Sequence, residues 1–391
     1  MSTTTPASDV DLFADDSLTD PYPGYRELRD TGPAVYLEAT GAWAVSRFEG
    51  VREVLRGRES FSSAAGVALN EGTNQANRGT VLSSDPPDHT KLRKVLSSQL
   101  SPGSVAELKG PIFEQADELV ASLAAQGEFD AIGDLAAPFP VSVVADLIGL
   151  PTEGREKLGL WTNRIFDAFG PENARTAAAF PLVGEMFTYM ATTASRDNLA
   201  DGSMGMTIYE AADRGEIEAE SCLPLLAAYI GAGMDTTINA IGSAICHLAA
   251  NRDQWTALRD DPSLAAGAVN EVLRFDSPVQ SFSRVATPGA DVEGQPIPEG
   301  DRVIVLFGSA NRDERKWEDP DRFRIDRNPI DHLGFGFGIH RCAGAGLARL
   351  EIEAVLTSMA SRLESLQMIG ESKRFLNNSV RGLSSFRVSV S

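Results

Sequence analysis

The sequence has few cysteines, no long hydrophobic run and a shortage of positive charge. Its 391 residues include three cysteines, too few for a disulfide framework in a chain of this length. The 35 Lys and Arg residues stand against 55 Asp and Glu, and the resulting net charge of −20 disfavours a nucleic-acid partner because phosphates would be repelled. No apolar run reaches the roughly 18–20 residues of a membrane span, and the N-terminus lacks the basic and apolar regions of a targeting signal. We therefore expect a cytoplasmic protein that does not enter a membrane.

The sequence does have extensive helical periodicity. Helical patterns dominate from Pro86 to about Phe275 and return at residues 343–363. Short strand patterns occur at residues 34–37, 42–46, 284–290 and 301–306. The stretch 62–84 lacks periodicity, which is typical of a functional loop. We predict a mainly α protein with small β-sheets: one large domain over residues 21–391, after a disordered or loosely ordered segment, residues 1–20.

One cysteine lies in an unusual setting, the segment GFGFGIHRCAG at residues 334–344. Cys342 directly precedes a predicted helix, whose positive end favours the thiolate. Gly338 and Gly344 allow the backbone to turn tightly around the sulfur. Since no second cysteine is nearby, an iron–sulfur cluster is excluded. The segment by itself leaves two interpretations open, a buried structural cysteine and a thiolate ligand to haem iron.

The pattern Phe335-x-x-Gly338-x-His340-x-Cys342-x-Gly344 resembles the haem-ligand signature of the cytochrome P450 family. Further segments resemble that family in the same order along the chain: DPPDHTKLR, GAGMDTT, EVLR and, between residues 310 and 323, ANRDERKWEDPDRF. The resemblance implies a cytochrome P450-type domain that holds haem b between its oxygen-binding helix and the helix after Cys342. It also implies monooxygenase activity, with electrons from NAD(P)H delivered by redox partners.

The resemblance assigns most of the remaining haem contacts. Cys342 is expected to be the axial ligand of the iron, with Phe335, Gly338 and Gly344 shaping its loop. His89 and Arg93 are four residues apart on a predicted helix and can reach one haem propionate together. Arg284 and His332 are placed at the other propionate positions. Without the surrounding match, His89 and Arg93 would be interpreted as a solvated helix face.

Two helix motifs have alternative interpretations. Glu271 and Arg274 share a helix face, and most such pairs are solvated. The resemblance implies instead a buried network, completed by an arginine for which we predict Arg322, that holds the ligand loop in place. In GAGMDTT, interior glycines are compatible with a kinked core helix. The resemblance implies that Thr236 and Asp235 are catalytic, the Thr236 hydroxyl competing for helix carbonyls and Asp235 relaying protons from solvent.

The substrate cavity is expected to be small and aromatic. The resemblance places six residues along it: Leu69, Phe166, Phe169, Ala232, Val279 and Phe282. On periodicity alone, core packing explains Phe166 and Phe169 equally well. The segments FDAFGPEN, SPVQSFSR, FLNNSVRGL and GSANRD resemble a bacterial branch of the family that O-demethylates para-methoxybenzoates.

The sequence departs from that branch where the substrate carboxylate would be held. Ala65, Ala227 and Ala228 stand where polar or basic groups are expected, and an unpaired buried carboxylate is costly. We therefore predict a neutral methoxyphenol of the guaiacol or alkylguaiacol type, demethylated with release of formaldehyde. Candidate partners of its hydroxyl are Asn70, Ser62 and Ser63. The alternatives are O-demethylation of para-methoxybenzoate and hydroxylation of an alkylphenol.

Basic residues on the ligand side of the haem predict a redox-partner surface. We expect an acidic [2Fe–2S] ferredoxin, served by a ferredoxin reductase, to dock near five residues: Lys91, Lys94, His340, Arg341 and Arg349. The alternative is ordinary scatter of surface charge. Two other classes of function are a haem-binding sensor or electron carrier and a peroxide-driven hydroxylase, and the Asp235–Thr236 pair disfavours both.

Overall fold

The structure, a computed structural model, describes residues 5–391. Its α-helices are α1 (Asp15–Thr19), α2 (Tyr22–Thr31), α3 (Phe48–Arg56), α4 (Glu71–Ala76), α5 (Asp88–Ser98), α6 (Pro102–Glu107), α7 (Lys109–Ala124), α8 (Pro138–Ile148), α9 (Leu158–Asp167), α10 (Ala174–Thr192), α11 (Met204–Asp213), α12 (Cys222–Ala250), α13 (Arg252–Asp260), α14 (Ala265–Phe275), α15 (Phe307–Ala310) and α16 (Ala345–Arg362). Its strands are β1 (Ala7–Ser8), β2 (Val35–Leu37), β3 (Ala42–Val45), β4 (Phe61–Ser62), β5 (Glu128–Asp130), β6 (Ser281–Ala286), β7 (Asp291–Val292), β8 (Gln295–Pro296), β9 (Arg302–Leu306), β10 (Leu366–Phe375) and β11 (Gly382–Val390). The mainly α prediction with small sheets is confirmed.

The largest sheet positions two of the predicted site residues. Its strand order is β1-β2-β3-β9-β6-β4, with β9 parallel to β3 and antiparallel to β6. β3 and β9 are buried nearly throughout, which explains their continuous apolar sequences. On β6, Phe282 pairs with Val305 and Arg284 with Val303. Because side chains alternate along a strand, Phe282 and Arg284 lie on the same face of the sheet.

Helix α12 runs through the centre of the protein. Its sequence is apolar on nearly all sides, so it is buried along most of its length. One hydrophobic cluster packs its C-terminal half against α7, α14, α16 and the C-terminal strands. A second cluster packs its N-terminal half against α9, α10 and α11. The Asp235–Thr236 pair therefore lies at the middle of the molecule, where the two clusters meet.

Three details differ from the sequence-based expectations. Residues 5–20 are not loosely ordered, because β1 pairs with β2 and Leu12 and Phe13 are buried against Tyr25; residues 1–4 lie outside the described part. The 62–84 stretch contains α4, whose N-terminus is capped by the Asn70 side chain. The antiparallel pair β10–β11, joined to β5, was not predicted. Its register shifts between Ile369 and Arg374 interrupt the alternation that marks a strand in sequence.

One apolar helical stretch is long enough to cross a membrane. Among residues 5–391 only Ala131–Ile148 meets that criterion of length and hydropathy, and 56% of it is buried inside the protein. The stretch joins a π-helical turn, Ala131–Ala136, to α8, and it contributes to the same core as α12. It is therefore explained by core packing.

Candidate active site

The ligand loop, residues 334–344, is held in shape by backbone contacts. The Cys342 N–H donates to the Phe335 carbonyl over 2.9 Å. Gly338 has φ of +72°, and a Cβ there would lie 2.3 Å from the Leu55 carbonyl oxygen at the end of α3. Only glycine fits such an approach with that backbone conformation. Helix α16 begins at Ala345, so the sulfur lies just before its N-terminus, as predicted.

The Cys342 side chain is exposed in the structure. Burial by the surrounding protein atoms is nevertheless the largest influence on the pKa of its thiol. Burial raises the pKa of the thiol, while the Gly344 N–H and the nearby Arg93 lower it. The expected lowering by the helix end is therefore outweighed by desolvation. Coordination to a metal ion would deprotonate such a thiol outright.

A basic cluster, His89, Arg93, Arg284 and His340, lies near this sulfur. The rings of His89 and His340 are 4.4 Å apart. Burial and the nearby cations lower the pKa of His340 to about 3, and burial lowers that of Arg284 to about 10. The Nε2 atoms of His89 and His340 are buried and have no hydrogen-bond partner among residues 5–391. The cluster thus has donors and positive charge to offer an anionic group.

These residues fit haem. Haem needs a ligand for its iron, which the Cys342 sulfur would supply, and partners for its two propionates, which the basic cluster would supply. His332 was expected in this cluster, and its Nε2 is likewise buried without a partner among residues 5–391, but its ring lies 5.5 Å from that of Phe335 and its main charged neighbours are Arg349 and Arg341. His340, which was assigned to the surface, takes its place. Two histidines eight residues apart in an irregular segment give no periodicity by which to choose between them.

The ion pair of α14 is fully buried, as predicted, but its third member differs. Glu271 and Arg274 form two hydrogen bonds of 2.8 Å, and both side chains are 0% exposed. Arg327 Nε lies 3.4 Å from Glu271 Oε1, whereas Arg322 is exposed and contributes only its backbone carbonyl. The prediction of Arg322 is therefore wrong. A 3₁₀ turn, Ile325–Arg327, directs Arg327 inward.

This network reaches the ligand loop through Asn311. Arg274 Nη1 donates to the Asn311 carbonyl over 2.9 Å. The Asn311 side-chain oxygen accepts the Leu333 N–H over 2.7 Å, one residue before the loop begins. Gly334 packs so closely on the Leu273 carbonyl that a Cβ would lie 2.6 Å from its oxygen. Glu271 and Arg274 are thus connected through Asn311 to the start of the ligand loop, in keeping with their proposed structural role.

Helix α12 presents Thr236 and Asp235 in different directions. The Thr236 hydroxyl donates to the Ala232 carbonyl over 2.9 Å, the competition for a helix carbonyl that the sequence predicts. Ala232 itself is exposed, one turn before Thr236. Asp235 is 2% exposed and accepts hydrogen bonds from two amides, Asn163 Nδ2 at 3.2 Å and Asn239 Nδ2 at 3.0 Å. Burial raises the pKa of Asp235 to about 6.

Aromatic side chains from distant segments meet beside the 62–84 loop. The rings of Phe169 and Phe282 pack edge to face at 5.6 Å, and Phe166 lies 6.4 Å from Phe169. The Leu69 N–H donates to the Phe169 carbonyl over 2.9 Å, which brings Leu69 to the same place. Val279 forms a β-bridge with Val380 and packs in the same hydrophobic cluster as Phe282. The structure therefore gathers five of the six predicted substrate residues, and Ala232 lies on α12.

The proposed hydroxyl partners in the loop are largely engaged. Asn70 Nδ2 donates to the carbonyls of Ala168 and Gly170 over 2.7 and 2.8 Å. The Ser62 hydroxyl donates to Asp85 over 2.6 Å, and the Ser63 N–H binds the same carboxylate. Asn70 and Ser62 thus fix the loop to its surroundings and are not directed at a ligand.

Sequence reasoning missed Asn163, Asn239 and Arg327. Asn239 follows Asp235 by one helical turn, a spacing that could have indicated the contact. Asn163 lies 72 residues before Asp235 in the chain, and nothing in its local sequence indicates their proximity.

Comparisons with known proteins show which family the chain belongs to. The family model of cytochrome P450 matches residues 188–384. Over 97% of this chain and 93% of the relative, the sequence is 40% identical to cytochrome P450 CYP199A2 of Rhodopseudomonas palustris. It is 31% identical to the putative cytochrome P450 YjiB of Bacillus subtilis, over 95% of this chain and 94% of that one.

Solved structures give the same result. The structure of CYP164A2 from Mycobacterium smegmatis superimposes with a TM-score of 0.88 at 29% identity, covering 97% of this chain and 98% of that one. CYP108D1 from Novosphingobium aromaticivorans gives 0.83 at 27% identity, with 95% of each chain covered. The chain therefore belongs to the cytochrome P450 family, as a monooxygenase that uses haem b and electrons from NAD(P)H delivered by redox partners.

Proposed function

We propose that this monooxygenase is a cytoplasmic enzyme that O-demethylates a small, neutral methoxyphenol of the guaiacol or alkylguaiacol type. Haem, held by Cys342 and the basic cluster, supplies the activation of O2 when bound. In the overall reaction the methoxyaromatic, O2, two electrons and two protons give the demethylated phenol, formaldehyde and water. The chain's own contribution is to bind and orient the ring, to exclude water from it and to deliver protons.

The observation that carries this proposal is the group of aromatic side chains. Phe169 meets Phe282 with an interplanar angle of 80°, and Phe282 meets Phe307 at 66°. Val67 and Ala68 pack against Phe169 in one hydrophobic cluster, to which Leu82 and Phe282 add apolar surface. Because aromatic rings favour edge-to-face contacts, such a wall suits a single flat ring. Phe169 and Phe282 would hold the ring of the substrate.

The charges near the wall favour a neutral substrate. Arg284 belongs to the basic cluster that fits haem. Arg302 is half-buried and donates to the Gly66 carbonyl and the Ser283 hydroxyl, each over 3.0 Å. Ala227 and Ala228 on α12 offer neither charge nor hydrogen bonds. A benzoate carboxylate would therefore have to compete for Arg302 with partners already in place.

Arg302 also supports the second candidate, para-methoxybenzoate. Its two hydrogen-bond partners are both uncharged, so a carboxylate could replace them, but its side chain lies with Ser283 on the sheet face opposite Phe282, and the loop at Gly66 would have to move for a ligand to reach it. The two candidates differ in their dependence on this side chain. Demethylation of a methoxyphenol should be insensitive to Arg302→Met, whereas binding of a benzoate should be lost.

The test is a binding titration of the purified haem protein. Guaiacol, 4-ethylguaiacol, 4-ethylphenol and 4-methoxybenzoate are added separately to wild type and to Arg302→Met while the ferric spin state is recorded. We expect a high-spin shift with the guaiacols in both proteins and formaldehyde on turnover. A shift with 4-methoxybenzoate alone, abolished by Arg302→Met, would instead establish the benzoate candidate. A shift with 4-ethylphenol and no formaldehyde from guaiacols would favour alkylphenol hydroxylation.

We further propose that a [2Fe–2S] ferredoxin delivers the electrons at a smaller surface than first predicted. Lys91 and Lys94 have side chains that are 65% and 78% exposed, and Arg341 is exposed beside them in the ligand loop. Arg349 is half-buried, donates to Asn270 and lies over the Phe335 ring. His340 belongs to the basic cluster. The docking surface therefore reduces to Lys91, Lys94 and Arg341.

Charge reversal tests this surface. Lys94→Glu and Arg341→Glu should slow reduction by ferredoxin several-fold and flatten its dependence on ionic strength, because opposite charges steer the encounter. Arg387→Glu is the control, since Arg387 on β11 is exposed and pairs with Glu128 on β5 much as Lys94 pairs with Glu216. Unchanged rates and salt dependence in both surface variants would exclude the proposed docking surface.

A further inference from the structure

The carboxylate of Asp235 is held by amides and not by a cation. Asn163 Nδ2 donates to Oδ1 and Asn239 Nδ2 donates to Oδ2, so that each oxygen has its own donor. Within residues 5–391 Asp235 takes part in no ion pair, and the charge with the largest effect on it is the negative one of Asp167. A buried acid with this arrangement has a fixed orientation, while no neighbouring cation locks it in the ionised form.

Both asparagines are themselves held in place. The backbone carbonyl of Asn163 accepts a hydrogen bond from Asn377 Nδ2 over 3.0 Å. Asn377 in turn accepts the N–H groups of Ser379 and Val380, which fixes it in the turn between β10 and β11. Asn239 packs on Gly382, where a Cβ would lie 1.8 Å from its Oδ1. Side chains of α9 and α12 thus meet at one carboxylate, and residues 377–382 contact both asparagines that bind it.

Charged groups on the neighbouring elements are mostly paired with other residues. On α9, Asp167 is bound by Arg164 over 3.0 Å and by the Asn378 N–H. On the C-terminal strands, Arg374 and Arg381 both pair with Asp276. On α8, Asp146 pairs with Arg155, and on α10 Arg175 pairs with Asp15 while Glu185 accepts from Trp161. The two amides are therefore the groups that oppose the effects of burial and of Asp167 on Asp235.

The position of Asn163 connects proton delivery to the substrate side. Asn163, Phe166 and Asp167 follow one another at helical spacing on α9, and they share one face of that helix. This face packs against α12 and brings the Asn163 amide to Asp235. On the same face, the ring of Phe166 lies 6.4 Å from that of Phe169 in the substrate wall. A displacement of α9 would therefore change both the substrate wall and the hydrogen bond to the acid.

We propose that Asn163 is a positioning residue for proton delivery: with Asn239 it fixes both oxygens of Asp235 and couples that acid to the helix carrying Phe166. The proposal concerns the monooxygenase reaction of the family and does not depend on which aromatic substrate is used. Only the link to substrate contact through Phe166 rests on the proposed function. Asn163 does not touch the reacting atoms and acts through Asp235.

The experiment compares two nearly isosteric variants. Asn163→Leu removes the donor, and Asn163→Asp removes it while adding a second acid next to Asp235. Because an amide N–H favours the ionised carboxylate, its loss should raise the pH midpoint of Asp235 by about one unit. Asn163→Asp should raise the midpoint further, since like charges oppose ionisation. Asn163→Gln retains an amide and should stay close to wild type.

The midpoint is read in the ferric, substrate-free haem protein by infrared titration of the aspartate carboxyl, with Asp235→Asn identifying the band. At pH values between the wild-type and variant midpoints, the variants should form several-fold less product per NADH than wild type. In this range Asp235 of the variants stays protonated and cannot accept a proton from solvent. Asn198→Leu, an exposed change away from α9, is the control.

A pH midpoint of Asp235 that rises in the order wild type, Asn163→Leu, Asn163→Asp supports the proposal. Superimposable midpoints in all Asn163 variants, or an equal shift in Asn198→Leu, would overturn it, as would a loss of activity by the same factor at every pH. The infrared readout needs no substrate, so failure of the methoxyphenol proposal would leave this result unaffected.

Discussion

The buried network of α14 allows the most quantitative prediction, the effect of Arg274→Met. This change removes two 2.8 Å hydrogen bonds to Glu271 and leaves that carboxylate with Arg327 at 3.4 Å and the Arg324 N–H at 2.9 Å. Breaking a buried pair by removing one partner costs on the order of 3–5 kcal/mol. We expect a loss of this size in the free energy of unfolding, measured from the urea midpoint followed by far-UV circular dichroism.

Three further variants distinguish loss of the network from simple loss of a large side chain. Glu271→Leu combined with Arg274→Met removes both charges and should recover part of the loss, because an apolar pair carries no unpaired buried charge. Arg327→Ala should cost about 1.5–3 kcal/mol, the value of hydrogen bonds to a charged group. Arg322→Ala should stay within about 0.5 kcal/mol of wild type, since its side chain is exposed.

The reasoning would be refuted by an Arg274→Met loss below about 1 kcal/mol, a range in which exposed ion pairs fall. Equal effects of Arg322→Ala and Arg327→Ala would show that the third arginine is wrongly assigned. Because Arg274 reaches the ligand loop through Asn311, Arg274→Met should also reduce the fraction of protein that retains haem.

Three other predictions concern single residues. Gly338→Ala should lower the haem-to-protein ratio severalfold, because its Cβ would lie 2.3 Å from a carbonyl oxygen. Gly336→Ala should have a milder effect, because Gly336 is also at positive φ but no atom lies within 4 Å of its Cβ; equal haem contents in the two variants would contradict this. Burial raises the pKa of Glu351 well above its ordinary value, so wild-type stability should decline as the pH rises from about 4.5 toward the folded-state pKa. Glu351→Gln should abolish that decline in urea unfolding, whereas the half-exposed Glu353→Gln should not. Phe169→Ala should raise the substrate dissociation constant about 3- to 10-fold by removing edge-to-face contacts, measured by spin-state titration, and an unchanged constant would remove Phe169 from the site.

Local motifs, and the family resemblance that they carry, indicated the candidate site residues that lie close together in the chain. Cys342 with its glycines, the i and i+3 positions of Glu271 and Arg274, and the Asp235–Thr236 pair each depend on a few neighbouring residues. The errors arise where an irregular segment folds back on itself. Arg322 and Arg327, like His332 and His340, are chemically equivalent choices in sequence, and only the turns between them determine which one faces inward.

Contacts across long separations were beyond the reach of these patterns. Asn163 and Asp235 meet because α9 packs on α12, and Asn377 contacts Asn163 from a turn 214 residues later in the chain. The β10–β11 pair was missed because its register shifts break the alternation of apolar residues. Residues 5–20 looked polar, yet Leu12 and Phe13 suffice to anchor them to Tyr25 in the core.

The central claim is that the sulfur of Cys342 holds the haem iron. It is tested most directly by the absorption spectrum of the reduced carbon monoxide complex in Cys342→Ser and Cys342→His. We predict that wild type shows the strongly red-shifted band of a thiolate-ligated haem and that both variants lose it while still binding haem through the basic cluster. A red-shifted band that persists in either variant would contradict the account, because the thiolate would then have to come from another residue.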